Sequence, residues 1–341
     1  MAEPKIRNME QFAAVSGVPR PTLSKYFNDP ESVRVKTRRQ IEEALAAYDY
    51  RPNLYAMNQN RKLTKNIGVV VPYLADPVFA EFARTIEQLC LEAGYRPTVF
   101  SAHGDSANEV DILDALRSMK PAGVLMAPLG RASDRSEIEK FSDDIPTILF
   151  DSELPGLGLS FVGADNPQFT RLMVDFLCRT GTPPCFFEMK TPANPNAGKR
   201  RNSYIQTMEA NGHEPHIVQA NGTGWGFEEI GLTEGLRAFE AGAFVSDTIL
   251  CSNDRLAIGL LTAAYEKGIR VGRSGADTIR IAAQDDHPFS RYTCPPLTTI
   301  GQDFETISRQ AVEMLLAILR GEKKPPEQRY IEGRLIMRES A

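Results

Sequence analysis

The sequence predicts an α/β protein in which a small helical module precedes a larger body of two lobes, each built on a parallel sheet. Two observations support this fold class. From Ile67 onward, short apolar runs alternate with amphipathic segments, a pattern typical of parallel strands covered by helices on both faces. The alternation begins again after residue 166, which indicates a second lobe and a cleft between the two.

The composition indicates a globular protein without a membrane span. The chain has 341 residues, of which 42% are hydrophobic, and no apolar run approaches the ~20 residues that a span requires. The N-terminus lacks the apolar core of a signal peptide. The five cysteines form no CxxC, and the HxxH of His213 and His216 has no third ligand nearby. We therefore expect a cytoplasmic chain with reduced thiols, no metal and no cofactor.

Charge is distributed unevenly along the chain. Residues 1–65 contain twelve Lys and Arg and seven Asp and Glu, a net charge of +5. The whole chain carries −5, so the remainder carries −10. A basic module on an acidic body is expected where only one end of a protein meets a polyanion.

Three short helices are predicted in the basic module, within 9–18, 19–28 and 35–50. Their apolar faces consist of Phe12, Val15 and Ser16 in the first, Leu23, Tyr26 and Phe27 in the second, and Ile41, Leu45 and Tyr48 in the third. Gly17 suits the end of the first helix, because glycine adopts the left-handed conformation found there. The short glycine-containing turn between the first two helices describes a helix-turn-helix.

The second helix must begin abruptly, between Pro19 and Pro21, because proline is tolerated only in the first turn of a helix. In a helix-turn-helix, the N-terminal residues of this helix face base edges in the major groove of DNA. On this interpretation the contacts to DNA come from Arg20, Thr22, Ser24 and Lys25. The alternative is a three-helix bundle with a solvated basic face.

The body is predicted to alternate strands and helices in chain order. In the first lobe, apolar runs suit strands at 67–74, 97–102, 122–128, 145–151 and 160–166, and helices are expected at 79–93, 109–119 and 135–142. In the second lobe, strands are expected at 185–189, 216–220, 248–253 and 279–286, and helices at 168–179, 200–210, 228–241 and 254–267.

Polar side chains follow several of the predicted strands, namely Asp76, Asp151, the pair Asn253 and Asp254, and the pair Asp285 and Asp286. Ligands of open parallel sheets bind outside the carboxyl ends of the strands. Each of these residues alone could instead cap a helix or a turn, but their recurrence favours a binding cleft. The single tryptophan, Trp225, lies in a glycine-flanked loop where it could stack on a sugar or a base; packing in the core is the alternative.

Residues 18–53, "VPRPTLSKYFNDPESVRVKTRRQIEEALAAYDYRPN", resemble the DNA-binding headpiece of the lactose/galactose-repressor (LacI/GalR) family. The positions that match the family pattern are Val18, Thr22, Ser24, Lys25 (for arginine), Asn28, Thr37, Arg38, Tyr50, Pro52 and Asn53. The resemblance implies that operator DNA is contacted by Arg20, Pro21, Thr22, Ser24, Lys25, Asn28, Arg34, Thr37, Arg38, Asn53, Tyr55 and Gln59.

Residues 53–66 resemble the hinge helix of that family, which orders on the operator and inserts a leucine into the minor groove. Gln59 stands at the aligned position. A glutamine can hydrogen-bond to minor-groove acceptors, but it cannot unstack a base step as leucine does. A plain flexible tether is the alternative.

The segments "IGVVVP", "DPVFAEF", "FVGADN", "SNDRLAIGLLTAAYEKGIRVG", "PPLTTIGQDF" and "LIMRES" resemble the family's periplasmic-binding-protein-like body in the same order. The resemblance implies that a small effector is bound by Asp76, Phe79, Asp151, Arg200, Trp225, Asn253, Asp285 and Gln302. Carboxylates, amides, an arginine and an aromatic face suit a sugar or sugar derivative. A purine or another small planar metabolite is the alternative effector.

We predict a headpiece at 1–52, a hinge at 53–66 and a body at 67–341. Lobe one is expected at about 67–163 and 302–327, and lobe two at about 164–301 and 328–341. The predicted function is an effector-controlled repressor that binds double-stranded operator DNA as a homodimer. An enzyme acting on sugars in the cleft is an alternative, although the sequence contains no P-loop, GxSxG, zinc-ligand spacing or GxGxxG after a strand. A sensor that does not touch DNA is a third possibility, against which the basic module argues.

Overall fold

The computed structural model describes residues 6, 8–48, 50 and 64–341, apart from 194, 274, 276, 323 and 324. The chain forms two compact units, residues 1–64 and 65–341. Most of the predicted hinge, with the proposed DNA contacts Asn53, Tyr55 and Gln59, lies outside the described residues.

The described residues of the first unit form three α-helices, as the sequence predicts: α1 (Met9–Ser16), α2 (Arg20–Asn28) and α3 (Val35–Tyr48). A 3-10 turn, Pro30–Ser32, lies between the last two. Gly17 ends α1 with a φ of +67°. Helix α2 begins directly after Pro19 and carries Pro21 in its first turn, where the missing N–H costs nothing.

The core of the first unit is formed by Phe12, Leu23 and Ile41, and Tyr50 stacks on Phe12 with ring centroids 4.5 Å apart. Two expected core residues are exposed instead, Val15 (43%) and Tyr48 (38%). Helix α1 has only two turns, so its buried face is narrow. Tyr50, just beyond α3, fills the space that the sequence assigned to Tyr48.

The first lobe of the body is a sheet of six parallel strands in the order β12-β5-β4-β3-β1-β2. The strands are β1 (Asn66–Val71), β2 (Arg96–Ser101), β3 (Gly123–Met126), β4 (Thr147–Phe150), β5 (Ser160–Ala164) and β12 (Gln328–Ile331). The helices are α4 (Pro77–Glu92), α5 (Ser106–Met119), α6 (Arg135–Asp144) and α11 (Phe304–Leu319). Helices α4 and α11 cover one face of the sheet, and α5 and α6 cover the other.

The second lobe is a sheet of five parallel strands in the order β7-β6-β8-β10-β9. The strands are β6 (Cys185–Met189), β7 (Ile217–Ala220), β8 (Thr248–Cys251), β9 (Arg270–Val271) and β10 (Thr278–Ala282). The helices are α7 (Asn166–Thr180), α8 (Asn196–Ala210), α9 (Phe227–Glu240) and α10 (Asp254–Glu266). Helices α9 and α10 touch closely at Gly231 and Gly259, where a Cβ on either would overlap the backbone of the other helix.

Several helices begin earlier than the sequence indicates, for example α4 at Pro77 and α8 at Asn196. In α4 the proline occupies the first turn, and the preceding Asp76 accepts a backbone N–H of that turn. A helix can therefore include a proline in its first turn, and a helix start placed after that proline is too late.

The chain crosses between the lobes three times, after β5 and on either side of the helix α11 segment. At two of these crossings, β11 (Thr299–Gly301) and β13 (Arg334–Ile336) form an antiparallel pair. Gln328–Ile331 pairs with β5 of the first sheet, whereas the sequence had assigned residues 328–341 to lobe two. The backbone of β5 would otherwise be left as an unpaired edge, so the chain returns to the second lobe only after β12.

Candidate functional site

The cleft between the lobes contains a cavity of about 20 Å³. Its lining consists of Asp76, Val78, Phe79, Asp151, Phe227, Asn253, Arg255, Asp285, His287 and Gln302. Six of the eight residues predicted from the sequence are in this set, and Arg200 and Trp225 lie outside it. The structure thus brings the predicted strand-end residues together, while their role in binding an effector stays a prediction.

Two of the strand-end residues cap helices, as the alternative interpretation held. An Asp76 carboxylate oxygen accepts the Val78 N–H at 3.0 Å at the start of α4. The Asn253 side-chain oxygen accepts the Leu256 N–H at 2.8 Å at the start of α10. Capping occupies one oxygen of each side chain, so both residues still present polar atoms to the cleft.

Asp151 adopts a left-handed backbone conformation, with a φ of +59°, and is almost fully buried. The Ser152 hydroxyl donates to its carboxylate at 2.9 Å, and the Asn196 amide donates to its backbone carbonyl at 3.1 Å. Burial raises the pKa of Asp151 to about 6. The group therefore changes between carboxylic acid and carboxylate close to neutral pH.

Arg200 holds Asp285 in place. Its three guanidinium nitrogens donate to Asn166 Oδ1 at 2.7 Å, to the Ser252 carbonyl at 2.7 Å and to Asp285 Oδ1 at 2.5 Å. Gln302 Nε2 donates to the same Asp285 oxygen at 2.7 Å. The resemblance implies that Arg200 binds the effector, but in the structure its guanidinium binds Asp285.

Arg255 connects the two lobes and was missed by the sequence analysis. One of its nitrogens lies 3.1 Å from the carboxylate of Asp76 in lobe one. Two others bind both oxygens of Glu228 in lobe two, each at 2.7 Å. Its position could have indicated a place at the cleft, because Arg255 immediately follows the strand-end pair Asn253 and Asp254.

Trp225 packs between the lobes rather than presenting an open ring. Tyr73 stacks on it at 5.4 Å, and Phe79 and Phe227 make edge contacts at 5.9 and 5.8 Å. Gly104 lies against the indole so closely that a Cβ would come within 2.6 Å of Nε1. In this conformation Trp225 therefore packs in the core, which was the alternative to a stacking role.

Asp254 is fully buried beneath the cleft and anchors the loop that follows β10. It accepts hydrogen bonds from the His287 N–H at 2.9 Å, the Ser290 hydroxyl at 2.5 Å and the Thr299 hydroxyl at 2.6 Å. Burial raises its pKa to about 7. These bonds fix the backbone that carries Asp285 and His287.

The predicted DNA contacts of the first unit that the structure describes lie on α2, at Arg34 directly before α3, and on α3. Arg20, Pro21, Lys25 and Arg34 are exposed, and Thr22, Ser24, Thr37 and Arg38 are half-buried. Arg38 forms two bonds to Glu31, at 2.5 and 2.9 Å, whereas Arg20 makes one exposed contact to Glu10 at 3.0 Å. A cation at the N-terminus of a helix opposes the helix dipole, so stability of α2 does not explain Arg20.

Among the described residues, no helix is long and apolar enough to cross a membrane. Within the same part of the chain, no group of three or more His, Cys, Asp or Glu side chains is arranged to hold a metal ion.

Comparisons with known proteins agree with this architecture. Residues 178–341 match the family model described as a periplasmic binding protein-like domain. The chain is 27% identical over 337 residues to the HTH-type transcriptional regulator KdgR of Bacillus subtilis, covering 97% of both chains. It also resembles a lac repressor dimer bound to operator and the anti-inducer ONPF (TM-score 0.84, 23% identity, 98% and 99% of the chains) and a transcriptional regulator CelR–cellobiose complex (TM-score 0.68, 21% identity, 98% and 100%).

These similarities extend over both units, and the named relatives are regulators rather than enzymes. The predicted fold class and the prediction of a regulator are therefore confirmed. Over nearly its whole length the chain is similar to HTH-type transcriptional regulators, and its C-terminal half matches a periplasmic binding protein-like domain.

Proposed function

We propose that this regulator represses transcription by binding double-stranded operator DNA through α2, and that a small sugar-like effector in the cleft sets its operator affinity. The observation that supports this most is the union, in one chain, of a helix-turn-helix unit with a two-lobed body. The polar ends of parallel strands from both lobes meet at one cavity of that body. Such a function places the protein in the cytoplasm, where the DNA is.

The DNA-binding part of the proposal rests on the start of α2. Arg20 and Lys25 are exposed on this helix, within a segment of net charge +5. Side chains at this position of a helix-turn-helix reach base edges or phosphates in the major groove. A two-fold symmetric operator would match a homodimer, and we expect the body to mediate dimerisation, with the exposed Tyr265 and Tyr292 as candidate contacts.

The effector part rests on the chemistry of the cleft. Asp151, Asn253, Asp285 and Gln302 offer carboxylate and amide groups that can accept from and donate to neighbouring hydroxyls. A cavity of about 20 Å³ is far smaller than the roughly 300 Å³ of small ligand pockets. Binding of a sugar therefore requires the lobes to separate, or the Arg255 and Trp225 side chains to move. Tyr73 covers one face of the indole, so Trp225 does not offer an open stacking surface to either a sugar or a base in this conformation.

The test uses the full chain and operator duplexes selected from a random pool. Affinity is measured at several salt concentrations, because neutralised phosphates make binding fall steeply with salt. Arg20→Ala and Lys25→Ala should each weaken binding by about 1–3 kcal/mol. Lys140→Ala on α6 of the body, also an exposed cation, is the matched control and should have no effect.

The effector is then sought by thermal shift with a panel of pentoses, hexoses, alditols, disaccharides and nucleosides. A compound that stabilises the protein should also change its operator affinity, and by linkage the DNA should change affinity for that compound by the same factor. Salt-independent duplex binding, or affinity unchanged in both headpiece variants, would contradict the DNA-binding proposal.

A further inference from the structure

His287 lies at the cleft but takes no part in the proposed set of effector contacts. It follows Asp285 and Asp286 after β10 and lines the same cavity as Asp76, Asn253 and Gln302. The residue is 2% exposed. Asp254 fixes its backbone, so the imidazole is held at the cavity wall rather than on a mobile loop.

The hydrogen bonds of the ring define its tautomer. Nδ1 lies 3.2 Å from the Phe289 backbone nitrogen and accepts that N–H, so in the neutral ring the proton resides on Nε2. Burial and the nearby Arg255 guanidinium both lower the pKa of His287. Nε2–H is thus a buried neutral donor, and it has no partner among the described residues.

A second unpaired polar atom belongs to the same cavity. Gln302 donates from Nε2 to Asp285, which leaves Oε1 as an acceptor without a partner in the described part of the chain. Buried polar groups are almost always paired in native structures, so an orphaned donor and an orphaned acceptor in one cavity indicate a ligand that supplies both. A hydroxyl group can accept one hydrogen bond and donate another, whereas a carboxylate can only accept.

The charges around the cavity favour an uncharged ligand. Three carboxylates line it, those of Asp76, Asp151 and Asp285, against two guanidinium groups, since Arg255 pairs with Asp76 and Arg200 with Asp285. The two cations beside Arg200 on α8 are already paired, Lys199 with Glu153 at 2.6 Å and Arg201 with Glu188 at 3.2 Å. Like-charge repulsion therefore disfavours an acidic or phosphorylated sugar.

We propose that His287 determines effector specificity by donating its Nε2–H to a hydroxyl oxygen of an uncharged polyhydroxylated effector; this rests on the proposed function. The imidazole acts as the donor, and Gln302 Oε1 accepts from a hydroxyl of the same molecule. The pair selects for adjacent hydroxyl groups and against a ligand that carries only acceptors.

The experiment compares two substitutions that each keep one end of the imidazole. In His287→Gln the side-chain amide reaches the position of Nε2 and retains the donor, but the acceptor for Phe289 is lost. In His287→Asn the side-chain oxygen replaces Nδ1 and retains the bond from Phe289, but the donor to the cleft is lost. Thermal unfolding without added sugar reports whether each variant folds.

Binding is measured by calorimetry with the uncharged sugar that gives the largest thermal shift in a panel including D-xylulose and cellobiose, with D-gluconate and glucose 6-phosphate as charged controls. We expect His287→Gln to bind within about threefold of the wild type and His287→Asn to bind at least tenfold more weakly.

If His287→Asn binds the sugar more tightly than His287→Gln does, His287 only holds the Phe289 loop, and the proposal is overturned. Preferential binding of gluconate or the phosphate would overturn it as well, because the effector would not be uncharged. If no compound in the whole panel binds, the effector part of the proposed function fails first, and this proposal fails with it.

Discussion

Removing the guanidinium of Arg255 should loosen the contact between the lobes. Its partner Asp76 has a side chain that is 8% exposed, and the Arg255 side chain is 13% exposed. In the variant Arg255→Met the aliphatic stem can still cover the Phe227 ring, over which the guanidinium now lies at 5.0 Å. The carboxylate of Asp76 would remain buried without its cation.

The expected loss of unfolding free energy follows from the two ion pairs of Arg255, one with Asp76 and one with Glu228. The buried bond to Asp76 is charge-assisted, and such bonds contribute about 1.5–3 kcal/mol. The pair with Glu228, whose side chain is 41% exposed, adds no more than about 1 kcal/mol. We therefore expect Arg255→Met to lower the free energy of unfolding by about 2–4 kcal/mol, since breaking a buried pair also leaves a charge uncompensated.

The assay is urea unfolding of the full chain followed by tryptophan fluorescence. Trp225 is the only tryptophan and lies at the lobe contact, so the native emission should also shift to the red when the lobes separate. A double-mutant cycle with Asp76→Asn, which keeps a side chain able to cap α4, isolates the ion pair, and its coupling should be about 1–2 kcal/mol. Arg309→Met removes an exposed pair with Glu305 within α11, whose side chains are 46% and 75% exposed, and is the matched control.

A coupling of zero within error, together with an unchanged emission maximum, would refute the reasoning. In that case Asp76 would be stabilised by its helix cap alone, and the contact with Arg255 would contribute nothing to closure of the cleft.

Three further outcomes are expected. Gly104→Ala should destabilise the body and shift the Trp225 emission, because the new Cβ meets the indole at 2.6 Å; Gly94→Ala, with a similar φ of +79° but open space, isolates the backbone cost and should leave the emission unchanged. The pKa of Asp254 is raised to about 7 from 3.8, so its stabilising contribution is complete below about pH 4 and is lost as pH rises through 7. Asp254→Asn should therefore reduce the fall in urea midpoint between pH 5 and pH 8, and an unchanged fall would count against this assignment. Effector hydroxyls that donate to Asp151 favour its carboxylate, so affinity measured by calorimetry should rise as pH increases through about 6, and Asp151→Asn should lose that rise.

The placement of the predicted site residues follows from the sequence where local rules decide it. Asp151 follows β4 of the first sheet and Asp285 follows β10 of the second, and ligands of open parallel sheets bind outside the carboxyl ends of the strands. Their position after strands was therefore enough to predict that both line the cleft between the lobes. The start of α2 was equally readable, because the stereochemistry of Pro19 and Pro21 leaves a helix one place to begin.

The rest depends on contacts between distant segments. Arg255 and Asp76 are 179 residues apart, and the residue pattern of neither helix predicts that they pair. A lone histidine after a strand carries no pattern, so His287 could be recognised only from the hydrogen bond that fixes its tautomer. Arg200 was expected to face the effector, but residue type alone does not reveal that Asn166, Ser252 and Asp285 occupy its donors.

The return of β12 to the first sheet means that neither lobe is a continuous stretch of chain. The first sheet needs Gln328–Ile331 to complete its edge, and β11 of the second lobe needs Arg334–Ile336 as its partner. During synthesis neither lobe can complete its strand pairing before residues 328–336 have been made, and closing such long loops is entropically costly. The two lobes are therefore expected to reach their native packing together, with the nascent body exposing unpaired strand edges until these two strands exist.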